Sequence, residues 1–169
     1  HVVEQCTRVC TAIADSLGAG EFPILLSGDH SSALGTISGI KKAHPDKTLG
    51  VLWIDAHADI HSPYTSPSGN IHGMPLAAAL GLDNLDFQEN VPGSDTIAHW
   101  QNMKNIGIEG PKLSPKHLVY FGVRDTEDAE DGVMADQGIR NYKVEEMRHK
   151  GIEKCVNQAL ERLASCDLL

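Results

Sequence analysis

Apolar residues recur at Val2, Cys6, Val9, Cys10, Ile13 and Leu17, a helical stripe that Gly18 and Gly20 end. The run "FPILL" then reads as a short buried strand, with "SGDHSS" as the loop that leaves it. "ALGTISGIKKAH" predicts a second helix, with Leu34, Ile37 and Ile40 on one side. "TLGVLWI" is the next solidly apolar strand. A polar loop from Asp59 to Asn70 holds Pro63, Pro67 and Gly69, and "MPLAAALGL" predicts a short helix. Residues 83–115 are loop-rich, with one helix over 94–105. "HLVYFGV" predicts a third strand and "TEDAEDGVMADQG" a short helix. "GIEKCVNQALERLASC" closes the chain as an amphipathic helix with Ile152, Val156, Leu160 and Leu163 aligned.

Solidly apolar strands that alternate with helices predict an α/β chain with a parallel sheet covered on both faces. Neither repeats nor low-complexity segments interrupt the pattern, so residues 1–169 read as one domain. His1 starts in mid-pattern, and "CDLL" reads as the opening of a further strand. Three or four strands would make a poor core, so the expectation is an incomplete domain, truncated at both ends.

Composition narrows the function. Hydrophobic residues make up 41% and charged residues 22%, as in a globular protein. The net charge of −9 with neutral His disfavours nucleic acid and anionic membranes as partners. The apolar runs are far too short to span a bilayer, and no secretory signal opens the chain, so a cytoplasmic location is expected. Cys6, Cys10, Cys155 and Cys166 lack CxxC spacing and read as reduced thiols.

In open parallel sheets, ligands bind beyond the carboxyl ends of the strands. The clusters "SGDHS", "DAHAD" and "VRDTEDAE" each follow an expected strand. Alternate residues of an extended backbone share a side, so Asp55, His57 and Asp59 are expected to converge, with Ala56 and Ala58 opposite. Two carboxylates and an imidazole repel and desolvate one another unless a cation lies between them. His30 would complete the set. Oxygen and imidazole donors without thiolate suit manganese or iron better than structural zinc. Alone, a DxH pair is a structural hydrogen-bonding motif and "GDHS" a turn; together, after adjacent strands, they point to a metal site. The loop "SPSGNIHGMP" adds Ser68 and Asn70 as neutral hydrogen-bonding groups and His72 as a proton shuttle.

"SGDHS", "DAHAD" and "SGNIHGMP", in this order and with similar separations, resemble the arginase branch of the ureohydrolase family. Ser27 stands where the family pattern has the first of two glycines. "VRDTEDAE" also resembles the family segment after the next strand. The "SGNxHG" loop favours arginase over agmatinase, and argues against the metal-dependent deacetylases that share the fold type. The resemblance implies a three-layer α/β/α sandwich around a parallel sheet, with a two-manganese centre. His30 and Asp59 would bind one Mn2+, His57 the other, and Asp55 would bridge. The reaction implied is hydrolysis of the guanidinium of L-arginine, a small cationic guanidino substrate, to L-ornithine and urea. His72, with Asp59, would form the catalytic set, His72 passing a proton to the leaving amine. Ser68 and Asn70 would line the amino-acid end of the substrate. Glu127 stands where arginases usually carry an Asp that contacts the α-ammonium, and Glu130 would share that task. His61 stands where arginases usually carry an Asn that helps read the α-carboxylate. Family members form homo-oligomers, trimers or hexamers.

The departures at His61 and Glu127 both touch the amino-acid end, so agmatine or a guanidino acid other than arginine is the alternative substrate. The family's "DxDxxDP" motif, with its further bridging aspartates, and the later Glu that holds the guanidinium are not found in the chain. A non-catalytic arginase-like subunit is therefore a third reading.

Overall fold

The computed structural model describes all of residues 1–169. The chain forms two compact units, each made of two segments. The first comprises residues 1–46 and 59–112, the second 47–58 and 113–169.

The first unit is helical. Its helices are α1 (Val2–Gly18), α2 (Ala33–Ala43), α3 (Pro75–Leu80) and α4 (Ser94–Lys104). The stripe expected on α1 is real: Cys6, Cys10 and Ile13 are buried. They pack on α2 at unusually short range, because α2 presents glycines there. A Cβ on Gly35 would stand 2.6 Å from the Cys6 carbonyl oxygen, and one on Gly39 would stand 2.7 Å from that of Cys10. Only residues without a side chain let the two backbones approach so closely. Helix α3 is buried at every position, and Pro75 starts it where a missing N–H costs nothing.

Between α1 and α2 the structure corrects the reading. Phe22–Leu26 form no strand, and Phe22, Ile24 and Leu26 are 89%, 80% and 92% exposed. An apolar run becomes a strand only when a neighbour takes its backbone hydrogen bonds, and none pairs with it here. "SGDHSS" therefore follows an irregular segment. It closes as a 3-10 turn, His30–Ser32.

The second unit holds the sheet. Strands β1 (Val51–Ile54), β2 (Leu118–Phe121) and β3 (Arg140–Tyr142) are parallel in the order β1-β2-β3, with Val51 opposite Leu118 and Val119 opposite Arg140. The first two fall within the predicted strands. The third was not anticipated, because "RNY" carries no apolar run. Leu168 also makes a single parallel bridge with Leu49.

Three helices complete this unit: α5 (Asp128–Asp136), α6 (Val144–Lys150) and α7 (Ile152–Arg162). Helix α6 is a short polar element that the apolar pattern does not announce. Helix α7 is the predicted amphipathic helix, with a rotated buried face. Cys155, Ala159 and Leu163 pack against Val119, Phe121 and Tyr142, whereas Ile152 and Leu160 point outward. The Phe121 and Tyr142 rings stack with centroids 5.0 Å apart. All four cysteines are free thiols.

Candidate metal centre

His30 and Asp59 belong to the first unit, Asp55 and His57 to the second. In the first, His30 Nδ1 lies 2.7 Å from Asp59 Oδ2. His30 is set by the 3-10 turn, whose N-cap is Asp29. The Ser31 hydroxyl and the Ser31 N–H both donate to Asp29 Oδ1, and these bonds hold the Asp29 carboxyl below the usual carboxylate range. Asp29 is thus the fixed part of "GDHS", and His30 the part that projects.

Asp59 is buried and has a left-handed backbone, φ +48°. Asp tolerates that region better than most residues, at a cost of order 1 kcal/mol. The conformation is held from outside: the Asp59 carbonyl accepts the Leu76 N–H at 3.0 Å, and the His61 N–H donates to the Gly73 carbonyl at 3.0 Å. The expected extended alternation over 55–59 does not occur. Strand β1 ends at Ile54, residues 55–57 bend, and Asp59 turns left-handed. The bends arise locally, since Asp55 Oδ1 accepts the His57 N–H at 3.2 Å.

In the second unit the loops after β1 and β2 are tied together. The N–H groups of Arg124 and Asp125 donate to the Ala56 carbonyl at 2.8 and 3.0 Å. This brings His57 Nε2 to 3.4 Å from Asp125 Oδ2, while His57 Nδ1 lies 3.6 Å from Asp55 Oδ1. Asp125 was not singled out from the sequence, although it lies in the polar run "VRDTEDAE".

The two donor sets suit a divalent cation. Both combine carboxylate oxygen with imidazole nitrogen and contain no thiolate, unlike the thiolate-rich sites of structural zinc. The atoms of the His30–Asp59 contact are also the ones a cation would take.

The remaining candidates fall into two groups. In the first unit, Ser68, Asn70 and His72 sit exposed on a loop whose base, residues 59–62, is buried. His61 differs: it is buried, with Nδ1 3.0 Å from the Thr65 hydroxyl. In the second unit, Glu127 and Glu130 form a capping box on α5. The Glu127 side chain takes a backbone N–H of the first turn, and Glu130 Oε2 accepts the Glu127 N–H at 3.4 Å. Both therefore have a structural task that the sequence motif alone did not reveal.

A family model described as "Arginase family" matches residues 1–169. The chain belongs to the arginase family. Curated arginases from Bacillus caldovelox and Brevibacillus brevis are 35% and 36% identical over 162 and 164 residues. Those matches take in 96% and 97% of the chain but 48% and 49% of the relatives, so the chain spans about half their length. The solved arginase of Bacillus subtilis superimposes with a TM-score of 0.83 at 32% identity, over 99% of this chain and 52% of that one. An Entamoeba histolytica arginase solved in complex with L-ornithine gives 0.82 at 31% identity, over 99% and 52%. The parallel sheet and its helices are thus the α/β fold of the arginases. No helix is long and apolar enough to cross a membrane.

Proposed function

We propose that the protein to which these residues belong hydrolyses the guanidinium group of L-arginine to L-ornithine and urea with two Mn2+. His30, Asp55, His57 and Asp59 are the residues that would hold the ions. When bound, such a pair supplies Lewis acidity, which makes a water nucleophilic near neutral pH. This matters because guanidinium is resonance-stabilised and a poor electrophile.

The chain's own residues do the rest. His72, on the exposed part of its loop, hands a proton to the departing amine nitrogen. Ser68 and Asn70 hydrogen-bond the amino-acid end of the substrate, and the Glu127 and Glu130 carboxylates attract its α-ammonium. The single observation that carries the reading is the His30–Asp59 contact of 2.7 Å. It joins the "GDHS" and "DAHAD" motifs in one donor pair. Similarity to arginases, one of them solved with L-ornithine, supports the substrate. The reading includes a homo-oligomer, a trimer or hexamer, and a cytoplasmic location.

One observation favours a second substrate class. His61 is buried against Thr65 where arginases usually carry an α-carboxylate-reading Asn. Agmatine, or a guanidino acid other than arginine, then becomes the alternative. Urea release with Mn2+ from L-arginine, agmatine and guanidinobutyrate decides between them. Preference for L-arginine supports the first reading. Preference for agmatine supports the second, and no urea from any of the three sinks both in favour of a non-catalytic subunit.

A further inference from the structure

The stretch Asp83–Asn90 has no regular structure beyond one 3-10 turn, yet it grips the loop leaving Asp59 at several points. Asn84, itself left-handed at φ +56°, donates Nδ2 to the Ile60 carbonyl at 2.8 Å. The Ser62 hydroxyl donates to the Asp83 carbonyl at 2.6 Å. The N–H groups of Glu89 and Asn90 both donate to the Tyr64 carbonyl at 2.8 Å. Asn90 Nδ2 then donates to the carbonyls of Pro63, at 3.3 Å, and Ser66, at 2.6 Å.

The strap is anchored on α4: Asp83 Oδ1 accepts the Trp100 indole N–H at 2.7 Å and Lys104 Nζ at 2.6 Å. Asn90 acts at the far end, where the loop leaves its buried base. The Ser66 hydroxyl accepts the Gly69 N–H at 3.0 Å, Gly69 is left-handed at φ +71°, and the Ser68 hydroxyl accepts the Asn70 N–H at 3.2 Å. The Asn90 carboxamide therefore holds Ser66, whose hydroxyl in turn holds Gly69, the residue between Ser68 and Asn70. Removing the Asn90 donor frees the carbonyl of Ser66, the residue whose hydroxyl holds the Gly69 turn.

We propose that Asn90 is a positioning residue: by clamping the Pro63 and Ser66 carbonyls it orients Ser68 and Asn70 toward the substrate. This rests on the proposed role of that loop in guanidino-substrate binding. Substrate orientation is sensitive to shifts of about 1 Å, so a loosened loop weakens binding while the metal ligands stay in place.

Two variants of the full protein test it. N90D keeps the shape but turns an acceptor toward two carbonyl oxygens, and N90A removes the donor without adding charge. N90Q keeps the donor and is the rescue. The expected result is a KM for arginine raised about tenfold in N90D and N90A, with smaller loss of kcat, unchanged manganese content and partial recovery in N90Q. Amide exchange should quicken over residues 66–70 and stay unchanged in α4. Wild-type KM in both variants overturns the proposal, as does exchange that quickens throughout the chain. If the wild-type protein releases no urea, the functional reading fails by itself. Exchange over 66–70 then decides the clamp, and unchanged exchange in N90D and N90A overturns it.

Discussion

His30 Nδ1 and Asp59 Oδ2 stand 2.7 Å apart, although the residues are 29 positions apart in the chain. The contact joins an exposed imidazole on a capped turn to a buried carboxylate on a left-handed bend. Asp59→Asn leaves the hydrogen bond possible and removes the charge a cation needs. We expect Asp59→Asn to weaken Mn2+ binding by about tenfold or more. Isothermal titration with Mn2+ checks this, and unchanged affinity would contradict it.

Gly35 and Gly39 let α1 and α2 meet backbone to backbone. Gly35→Ala would put a methyl group 2.6 Å from the Cys6 carbonyl oxygen and 2.8 Å from Val9 Cβ. Neither neighbour is the flexible end of a side chain, so the helices must separate. A destabilisation of about 1–3 kcal/mol is expected despite the better helix propensity of Ala. Denaturant titration of the variant checks it; a stability gain would contradict the packing.

Lys112 is buried, and its Nζ donates to the carbonyls of Lys104, Ile108 and Gly110, just past the end of α4. Burial pulls its pKa down from 10.5 to about 8, with Cys10 opposing. The folded chain therefore binds fewer protons than the unfolded one between these values, and stability must rise with pH through that window. The comparison is with Lys112→Met, which lacks the titration. Relative to it, wild-type stability should increase from pH 7.5 to 10 in chemical denaturation, and a constant difference would contradict the assignment.

Glu130 accepts the Glu127 N–H at the start of α5. Glu130→Ala should cost about 1 kcal/mol through the lost cap, whereas Glu130→Gln should keep most of it. Melting temperatures of both variants check this. A second role in holding the substrate ammonium would show as raised KM in Glu130→Gln with little change in stability.

The sequence made the chemistry legible before the geometry. "DAHAD" and "GDHS" offered four candidate donors, and the structure brings His30 to Asp59 and His57 near Asp55. Strands β1 and β2 were legible because four consecutive apolar residues at a strand's length predict a strand; β2 is buried throughout, whereas β1 is only partly buried and its Ile54 is exposed. Phe22–Leu26 carries the same signal and is no strand, because pairing belongs to the neighbour and not to the segment. Arg140–Tyr142 is the converse: a polar triplet that becomes a strand because β2 offers its free edge. The alternation of Asp55, His57 and Asp59 suggested an extended run, but Asp55 bonds its own chain two residues on and the backbone bends. Asn84 and Asn90 stayed hidden for a related reason. Side-chain bonds to distant carbonyls leave no periodicity in a sequence.

In the proposed function, these side chains would hold two divalent ions for attack on a guanidinium carbon. Metal analysis of the purified full protein after Mn2+ loading and desalting tests it most directly, with His30→Ala alongside. Two manganese per chain are expected in the wild type and about one in the variant. Fewer than two in the wild type, or the same content in both, would contradict it.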